Sequence, residues 1–364
     1  RIQQRDRQTE HRGQAEQDGQ DQDPGPQKNA TGSFDNLEAG KYKITATLSD
    51  GTTEKKKVEK TINIKNLDDM SAYLFVHFVD TQEDATREQI YFSVSKDGKT
   101  WTTLNNKQPY LTSNVGTQGV RDPYILRGED GKFFIIATDL SVYNLKNNWT
   151  AAAQQGSKSI VVWESSDLVN WSEASLVKIN NDNAGCTWAP EACYDPEKDE
   201  YMVFWASVVS DDSYQKYRIY RSYTKDFKTF SAPELYIEEP NAVIDTTIID
   251  HEGTYYRFTK NEAKSSITMQ ECTSLSGDWK DVASYNLGSM TGYEGPTIYK
   301  LNGKNEWCLL LDYFSKSKGY KPFVTTDITK GEFTADSDFS FDGTYRHGTV
   351  MPITQAEYES LTAE

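Results

Sequence analysis

Three carboxylates in this sequence share a local setting that suits acid–base chemistry. Each stands at or just before the start of a short apolar run: Asp122 in "GVRDPYILR" (119–127), Asp245 in "AVIDTTIID" (242–250) and Glu294 in "GYEGPTIYK" (292–300). A single acid at a strand end is common, because Asp and Glu occur often in turns. The same placement in three successive segments indicates a cluster of acids that share one site.

Such a cluster could divide the work of hydrolysis between its members. Carboxylates gathered in one cleft repel one another, so their pKa values separate and one of them can hold a proton near neutral pH. Cleavage of a glycosidic bond needs one protonated acid for the leaving oxygen and one ionised carboxylate to activate water. Arg121 precedes Asp122 and would favour its ionised form, as a base requires. Tyr293 and Pro296 flank Glu294 with less polar groups, as an acid requires.

An internal repeat from about residue 71 onward supplies the elements that would position these acids. Each unit contains an apolar strand, a second strand rich in Ser and Thr, and a closing aromatic residue. The closing segments are "IYFSVSKDGKTW" (90–101), "VVWESSDLVNW" (161–171), "YRIYRSYTKDFKTF" (217–230), "ITMQECTSLSGDW" (267–279) and "KPFVTTDITKGEF" (321–333). Five units of short strands predict an all-β fold, a five-bladed β-propeller, because a β-sandwich has no reason to repeat one unit five times.

In a propeller the innermost strand of each blade lines the central channel. The segments before the closings supply those strands, and Asp122, Asp245 and Glu294 then occupy equivalent places in three blades. The blade geometry therefore predicts that acids far apart in sequence converge at the channel mouth.

The ordered set "RDPYI", "WAPE", "IDTTI" and "YEGPT", together with the five repeats, resembles glycoside hydrolase family 43 over about residues 71–355. The resemblance implies an inverting enzyme with Asp122 as base, Asp245 as the modulator of the acid and Glu294 as acid. The base blade is usually the first in that family, whereas a full repeat precedes it here. We therefore expect the last strand, near "YRHGTVMPI" (345–353), to close the ring.

The resemblance also sets the expected function. We expect an exo-acting α-L-arabinofuranosidase that removes terminal arabinofuranosyl residues from a neutral plant-type glycan. A β-D-galactofuranosidase or β-xylosidase of the same fold remains an alternative, as does a carbohydrate-binding propeller without catalysis. A sialidase is disfavoured, because "SKDGKTW" lacks the full spacing of its Asp-box turn and the other blades do not repeat it.

Further candidate site residues lie near the acids in sequence or are implied by the resemblance. Asp139 either binds a sugar hydroxyl or caps its strand, and Glu191 is either a substrate contact or a rival acid. Trp188 is expected as a stacking wall. Substrate-binding roles are expected for Arg121, Asp139, Trp188, Glu191, Arg346 and His347. We expect no required cofactor and no catalytic metal, with a structural calcium or sodium ion near His347 as an open alternative.

Composition sets the remaining expectations. The net charge of −16 argues against nucleic acid as a partner, and no apolar run reaches the roughly 18 residues of a membrane span. The chain opens at Arg1 without a Met or signal region, so we expect a monomeric piece of a larger multidomain chain, secreted or at the surface or in the periplasm of a bacterium. Pairing of Cys186 with Cys193 stays open.

The sequence pattern divides the chain into three parts. The polar residues 1–35 are expected to be disordered, because they cannot bury enough apolar surface to offset the entropy of ordering. Residues 36–67 alternate apolar and polar side chains about a Ser-Asp-Gly turn, which predicts a β-hairpin, part of an immunoglobulin-like module. Residues 68–364 form the propeller.

Overall fold

A computed structural model describes residues 69–79 and 84–363, together with the backbone of three strands closer to the N-terminus. The chain divides into two compact units, Arg1–Asp69 and Met70–Glu364.

The first unit contains the predicted hairpin. Strands β2 (Gly40–Ser49) and β3 (Glu54–Ile64) pair antiparallel, and β1 (Gln8–Thr9) pairs parallel with β2. Apart from β1, the segment 1–35 that we expect to be disordered lies outside the described residues.

The second unit consists of five sheets, each built around four antiparallel strands. In chain order the elements are β4 (Met70–Phe78), β5 (Tyr91–Ser95), β6 (Thr100–Thr103), β7 (Val120–Arg127), β8 (Phe133–Asp139), α1 (Trp149–Gln154), β9 (Ser159–Ser165), β10 (Ser175–Lys178), β11 (Trp188–Asp195), β12 (Glu200–Ser207), β13 (Arg218–Thr224), β14 (Glu234–Ile237), β15 (Val243–His251), β16 (Thr254–Asn261), β17 (Ser266–Cys272), β18 (Lys280–Asp281), β19 (Glu294–Lys300), β20 (Trp307–Asp312), β21 (Tyr320–Thr325), β22 (Thr334–Ala335), β23 (Ser340–Phe341), β24 (Arg346–Thr354) and α2 (Gln355–Thr362).

These sheets are the blades of a five-bladed propeller. Blade one takes its inner strand from the end of the chain, since β24 pairs antiparallel with β4, and β5, β6 and the short β23 follow outward. Blades two to five are β7–β10, β11–β14, β15–β18 and β19–β22. The predicted closure of the ring by the last strand is confirmed.

The inner strands form a closed ring around the channel. Each contacts the next, in the order β24, β7, β11, β15, β19 and back to β24. The four segments that we predicted as inner strands are β7, β11, β15 and β19, so the acids do belong to channel-lining strands.

Apolar side chains between neighbouring blades hold the ring together. Five separate clusters of buried residues fill these interfaces. Trp101 and Phe333 belong to two of them, and the partly buried Trp171, Phe230 and Trp279 pack against the other three. The aromatic that ends each repeat is therefore a packing residue of the core. No helix in the described part of the chain is both long and apolar enough to cross a membrane.

Candidate active site

Every inner strand carries a break in register close to its start. The breaks fall at Arg121/Tyr124, Trp188/Glu191, Ile244/Thr246, Glu294/Thr297 and Arg346/Thr349. A bulge of this kind bends the strand and re-aims its side chains, and bulges are frequent next to active sites. The five bulges therefore define one rim of the channel.

Asp122 and Asp245 occupy the same place in this rim. Both lie inside the bulge with left-handed backbone, at φ 51° and 52°, a conformation that non-glycine residues adopt mainly where the fold enforces it. Glu294 lies one residue earlier in its blade, immediately before Gly295 at φ 51°. The predicted equivalence of the three acids thus holds for the two aspartates, and Glu294 is offset by one residue.

His347 joins the two aspartates. It comes from the bulge of β24, is buried, and places Nδ1 3.3 Å from Asp122 Oδ1 and 3.9 Å from Asp245 Oδ2. Burial alone would lower the pKa of this imidazole, but the carboxylates of Asp245 and Asp122 raise it to about 10. His347 is therefore an imidazolium at neutral pH and lies between two acids from different blades.

The surroundings of Asp122 favour its ionised form. Burial, the largest single effect, acts to raise its pKa, but the hydrogen bond and positive charge of His347, the charge of Arg121 and the hydrogen bond from Thr138 together outweigh it, so the pKa lies below its usual value. Thr138 Oγ1 donates to Asp122 Oδ2 at 2.9 Å and accepts from the backbone N–H of Ala189 at 2.8 Å. This hydroxyl fixes the Asp122 carboxylate and links blade two to blade three.

Asp245 connects the aspartate pair to Glu294. Its Oδ2 accepts a hydrogen bond from Gly295 N at 3.1 Å. Burial raises the pKa of Asp245 to about 6, opposed by His347 and Lys260 and reinforced by Glu294 and Asp122. Position 295 requires glycine, because a Cβ there would lie 2.7 Å from His347 Cγ and φ is positive.

Glu294 contacts two cations. Lys260 Nζ lies 2.9 Å from its Oε2 and Arg346 Nη2 lies 3.2 Å from its Oε1. The prediction that Tyr293 gives Glu294 less polar surroundings is wrong, because the Tyr293 ring stacks on Tyr313 instead, with centroids 4.5 Å apart. The Glu294 side chain is 21% exposed, compared with 9% for Asp245, so it is the more accessible of these two acids.

Asp312, at the end of β20, binds the two residues of β24 that contact the clustered acids. Its Oδ2 accepts from Arg346 Nε at 2.6 Å and from the backbone N–H of His347 at 3.3 Å. Burial raises the pKa of Asp312 to about 6, opposed by the Arg346 charge. Asp312 thereby orients both Arg346 and His347, the two candidate substrate-binding residues of β24.

Glu191 is the fourth carboxyl group that the inner strands carry beside their bulges. It lies on β11, is only 4% exposed, and its Oε2 has no hydrogen-bond partner among the described residues. Burial raises its pKa to about 8, although His347 and a hydrogen bond with Thr247 act in the opposite direction. Glu191 is therefore a neutral carboxylic acid at neutral pH, since an unpaired charge would be costly there.

We expected the Arg121 guanidinium to favour the ionised form of Asp122, but it pairs with Glu88 instead. Its guanidinium forms a buried ion pair with Glu88, with Nη1 2.9 Å from Oε1, and packs against the ring of Phe78. The long side chain reaches Glu88 because that carboxylate is fully buried and needs a cation. Arg121 thus acts on Asp122 only as a nearby charge, and the direct partner of Asp122 is His347.

The structure places the other two candidates at the rim. Asp139 Oδ1 accepts from the N–H and the hydroxyl of Thr117. Its role, as a ligand of a sugar hydroxyl or as a strand cap, stays a prediction. Trp188, at the start of β11, stacks on Tyr217 with centroids 5.4 Å apart and meets Trp149 edge to face. It therefore forms part of an aromatic wall beside the channel.

The expected alternative of a structural calcium or sodium ion near His347 stays a prediction. Among residues 69–79 and 84–363, no group of three or more His, Cys, Asp and Glu side chains is arranged to hold a metal ion. All four cysteines are free, so Cys186 and Cys193 do not pair.

Sequence reasoning missed Lys260, Asp312, Thr138 and Glu88. The repeat offers a signal for three of them, because each is the cross-strand partner of a rim residue: Thr138 opposes Arg121, Lys260 opposes Ile244 and Asp312 opposes Glu294. The residue that opposes each rim residue on the neighbouring strand could have been identified from the predicted hairpins. Glu88 follows no such rule.

Comparison with known proteins places this arrangement in a family. The sequence model of the family described as "Probable glycosyl hydrolase domain" (Glyco_hydro_43_rel) matches residues 68–359. A protein of Bifidobacterium longum subsp. longum named alpha-L-arabinofuranosidase is 30% identical over 81% of this chain, which spans 32% of that protein's length.

Solved structures of low sequence identity also resemble the chain. A family 43 protein from Bacillus licheniformis is 17% identical, with a TM-score of 0.48 over 78% of this chain and 55% of that one. The catalytic domain of a family 62 alpha-L-arabinofuranosidase from Coprinopsis cinerea is 16% identical, with a TM-score of 0.45 over 63% of this chain and 71% of that one.

Proposed function

Since this chain belongs to the family 43-related glycosyl hydrolases and is a glycoside hydrolase, we propose that it is an exo-acting, inverting α-L-arabinofuranosidase. The relative from Bifidobacterium longum, which is named alpha-L-arabinofuranosidase, supports arabinofuranose as the sugar that is removed. This chain spans about a third of that protein. The substrate is a neutral glycan, because the net charge of −16 disfavours an anionic sugar.

Asp122 is the base in this mechanism. It is ionised at neutral pH, and Thr138 and His347 fix its two oxygens. A base held in this way can accept a proton from a water molecule as that water attacks the anomeric carbon. His347 remains protonated throughout and stabilises the carboxylate.

Glu294 is the acid and Asp245 assists it. Glu294 delivers a proton to the glycosidic oxygen as the bond breaks, and it must therefore carry that proton in the substrate complex. Asp245 accepts a hydrogen bond from the backbone N–H of the next residue, Gly295, and thereby positions Glu294. Lys260 and Arg346 hold the two Glu294 oxygens in place.

One observation carries the proposal. Asp122, Asp245 and Glu294, from three blades, belong to one set of contacts that runs from Asp122 to His347, Asp245 and the Gly295 amide, next to Glu294. A propeller that only binds carbohydrate has no need for carboxylates joined in this way. An inverting pair stands roughly 6.5–9.5 Å apart so that water fits between base and sugar.

We further propose that the protein acts outside the cell as part of a longer chain. Plant-type polysaccharides are too large to enter a cell, so an enzyme that trims them must be exported. The longer curated relative supports a multidomain protein. Detection of the full-length protein in the medium or on the cell surface would test this, and a purely intracellular location would overturn it.

Hydrolysis of matched synthetic glycosides tests the function. The chain should cleave the α-L-arabinofuranoside faster than the β-D-xyloside and the β-D-galactofuranoside, and NMR of the first product should show inverted configuration. Glu294→Gln should lower kcat on a poor leaving group by about 10²–10⁴-fold. Glu173→Gln, an exposed residue on the surface, serves as the control and should leave kcat unchanged.

Each other outcome overturns a specific part of the proposal. Faster cleavage of the xyloside or galactofuranoside would refute the assigned sugar, and retained configuration would refute inversion. Binding of glycans without hydrolysis would show a carbohydrate-binding propeller. Full activity of Glu294→Gln would refute its role as the acid.

A further inference from the structure

Two of the most exposed large apolar side chains lie beside the candidate active site. Among the described residues, Tyr143 and Trp149 are each 42% exposed, and both belong to the segment 140–158 that joins β8 to β9. Large aromatic rings left in solvent beside a polar cleft often mark a binding surface. Trp149 is the first residue of α1.

Trp149 lies at the channel rim between blades two and three. Its ring is 5.3 Å from the Arg121 guanidinium carbon and meets Trp188 edge to face, with centroids 6.2 Å apart. Arg121 and Trp188 are equivalent residues of β7 and β11, each immediately before its bulge. Trp149 is therefore a near neighbour of the strand start that carries Asp122.

The start of the segment is anchored by the buried Glu88 carboxylate. Glu88 Oε1 accepts from Val142 N and Oε2 accepts from Tyr143 N, both at 3.0 Å. The same Oε1 pairs with Arg121, whose guanidinium packs under the Trp149 ring. One buried acid thus fixes both the loop and the cation that supports the tryptophan.

The far end of the segment is held just as closely. Asn148 caps α1 by accepting from Ala151 N at 3.0 Å, and Gly156 N donates to Gly185 O at 2.7 Å. A Cβ at Gly156 would lie 2.2 Å from Ala152 O, so the backbones approach too closely for any other residue. The ring is preorganised, and binding to it costs little ordering of the protein.

We propose that Trp149 is a stacking platform for a second sugar ring of an oligosaccharide substrate, one unit away from the sugar that is cleaved. The apolar C–H face of a sugar ring packs against an aromatic face, which is negative and attracts those hydrogens. The Arg121–Glu88 pair and the Trp188 edge hold the indole, and its remaining surface is open to the ligand. This inference rests on the proposed function. It predicts that the enzyme prefers oligosaccharides over simple glycosides.

Kinetics on two substrates test the platform. The probes are methyl α-L-arabinofuranoside and a trisaccharide with a terminal α-L-arabinofuranosyl unit; a nitrophenyl glycoside is avoided because its own ring could stack on Trp149. Trp149→Ala should lower kcat/KM for the trisaccharide about tenfold more than for the methyl glycoside, mainly through KM. Trp149→Phe should keep most of the preference, because it retains an aromatic face. If the alanine variant does not fold, Trp149→Leu decides, and it should lose the preference.

Leu235→Ala provides the matched control. Leu235 is 48% exposed on the outermost strand of blade three, away from the rim, so its removal should leave the ratio of the two kcat/KM values unchanged. Equal losses on both substrates for the Trp149 variants, or no loss on either, would overturn the platform.

Equilibrium binding separates this inference from the proposed function. In the Glu294→Gln background, Trp149→Ala should raise the Kd for the trisaccharide about tenfold, as measured by calorimetry. That loss without any hydrolysis by the unmutated chain would refute the hydrolase assignment and still support the platform. Unchanged Kd alongside normal hydrolysis would refute the platform alone.

Discussion

His347 Nδ1 lies 3.3 Å from Asp122 Oδ1, and this contact joins the last inner strand of the propeller to the strand that carries the proposed base. The closure of the ring and the assembly of the site are therefore one event, because β24 must pair with β4 before the imidazole can reach Asp122. A cation between Asp122 and Asp245 also lets two buried carboxylates coexist at short range.

Replacing this cation should damage both stability and activity. His347→Asn keeps a polar side chain but removes the positive charge that Asp122 and Asp245 share. Breaking a buried ion pair in this way costs about 3–5 kcal/mol, measurable by urea unfolding near neutral pH. We expect kcat to fall at least about 100-fold, because the base loses the partner that keeps it ionised and oriented.

His251→Asn is the control for that experiment. His251 ends β15 at the far end of the strand from Asp245, so its replacement should leave kcat unchanged. A His347→Asn enzyme with normal kcat would show that the imidazolium is not needed for the base.

Replacement of the base should be partly rescued by an external nucleophile. Asp122→Asn should lower kcat by about 10²–10⁴-fold, because water then attacks without a proton acceptor. Azide needs no such acceptor, so adding it with an activated arabinofuranoside should restore turnover and yield the glycosyl azide of inverted configuration. NMR identifies that product.

Asp250→Asn, an exposed aspartate of the same strand as Asp245, should neither lose activity nor respond to azide. A glycosyl azide of retained configuration from Asp122→Asn would contradict the assignment of Asp122 as base.

The sequence was sufficient to locate the inner strands but not the cations that surround the acids. Asp122 and Asp245 could be found because a repeat marks the start of each inner strand, and the structure places both at the same bulge. Their left-handed backbone was not foreseeable, since Asp tolerates this conformation without a sequence signature such as glycine. At Glu294 the following Gly295 does carry that signature.

The prediction for the Glu294 surroundings failed because it used neighbours in sequence. Tyr293 precedes β19 and its ring stacks on Tyr313, so it does not enclose the carboxylate of Glu294. The true neighbours, Lys260 and Arg346, come from blades four and one. Contacts between blades depend on the closed ring, which no local pattern reveals.

Arg346 should not tolerate its usual conservative replacement. Its Nε pairs with Asp312 at 2.6 Å and its Nη2 with Glu294 at 3.2 Å, so one guanidinium bridges two acids. Lysine has a single ammonium group and cannot supply this fork. Arg346→Lys should therefore lower kcat about tenfold or more and reduce the free energy of unfolding by roughly 1–3 kcal/mol.

Arg127→Lys separates the two effects. Arg127 also makes a two-pronged contact, to Glu357 of α2, but outside the channel rim. Its replacement should reduce stability and leave kcat unchanged. Equal kcat for both lysine variants would show that Arg346 stabilises the fold without orienting Glu294.

The buried carboxyl group of Glu191 should give the stability of the protein a distinct dependence on pH. Its pKa is raised from 4.5 to about 8 in the folded protein, chiefly by burial. For a raised pKa the contribution to stability is complete below the unfolded value and is lost as pH rises through the folded value. The wild-type protein should therefore lose this contribution between about pH 4.5 and pH 8, by at most roughly 1.4 kcal/mol per pH unit.

Glu191→Gln isolates that contribution, because glutamine keeps the shape and cannot ionise. The titrations of Asp245, Asp312 and His347 are common to both proteins and largely cancel in the difference. The free energy of unfolding of the variant minus that of the wild type, from urea melts at pH 5, 6.5, 8 and 9, should rise steadily to about pH 8 and then level off. The same difference for exposed Glu173→Gln should stay flat. A flat or falling difference for Glu191→Gln would mean that Glu191 is ionised in the folded protein, and its buried Oε2 would then need a cation close by.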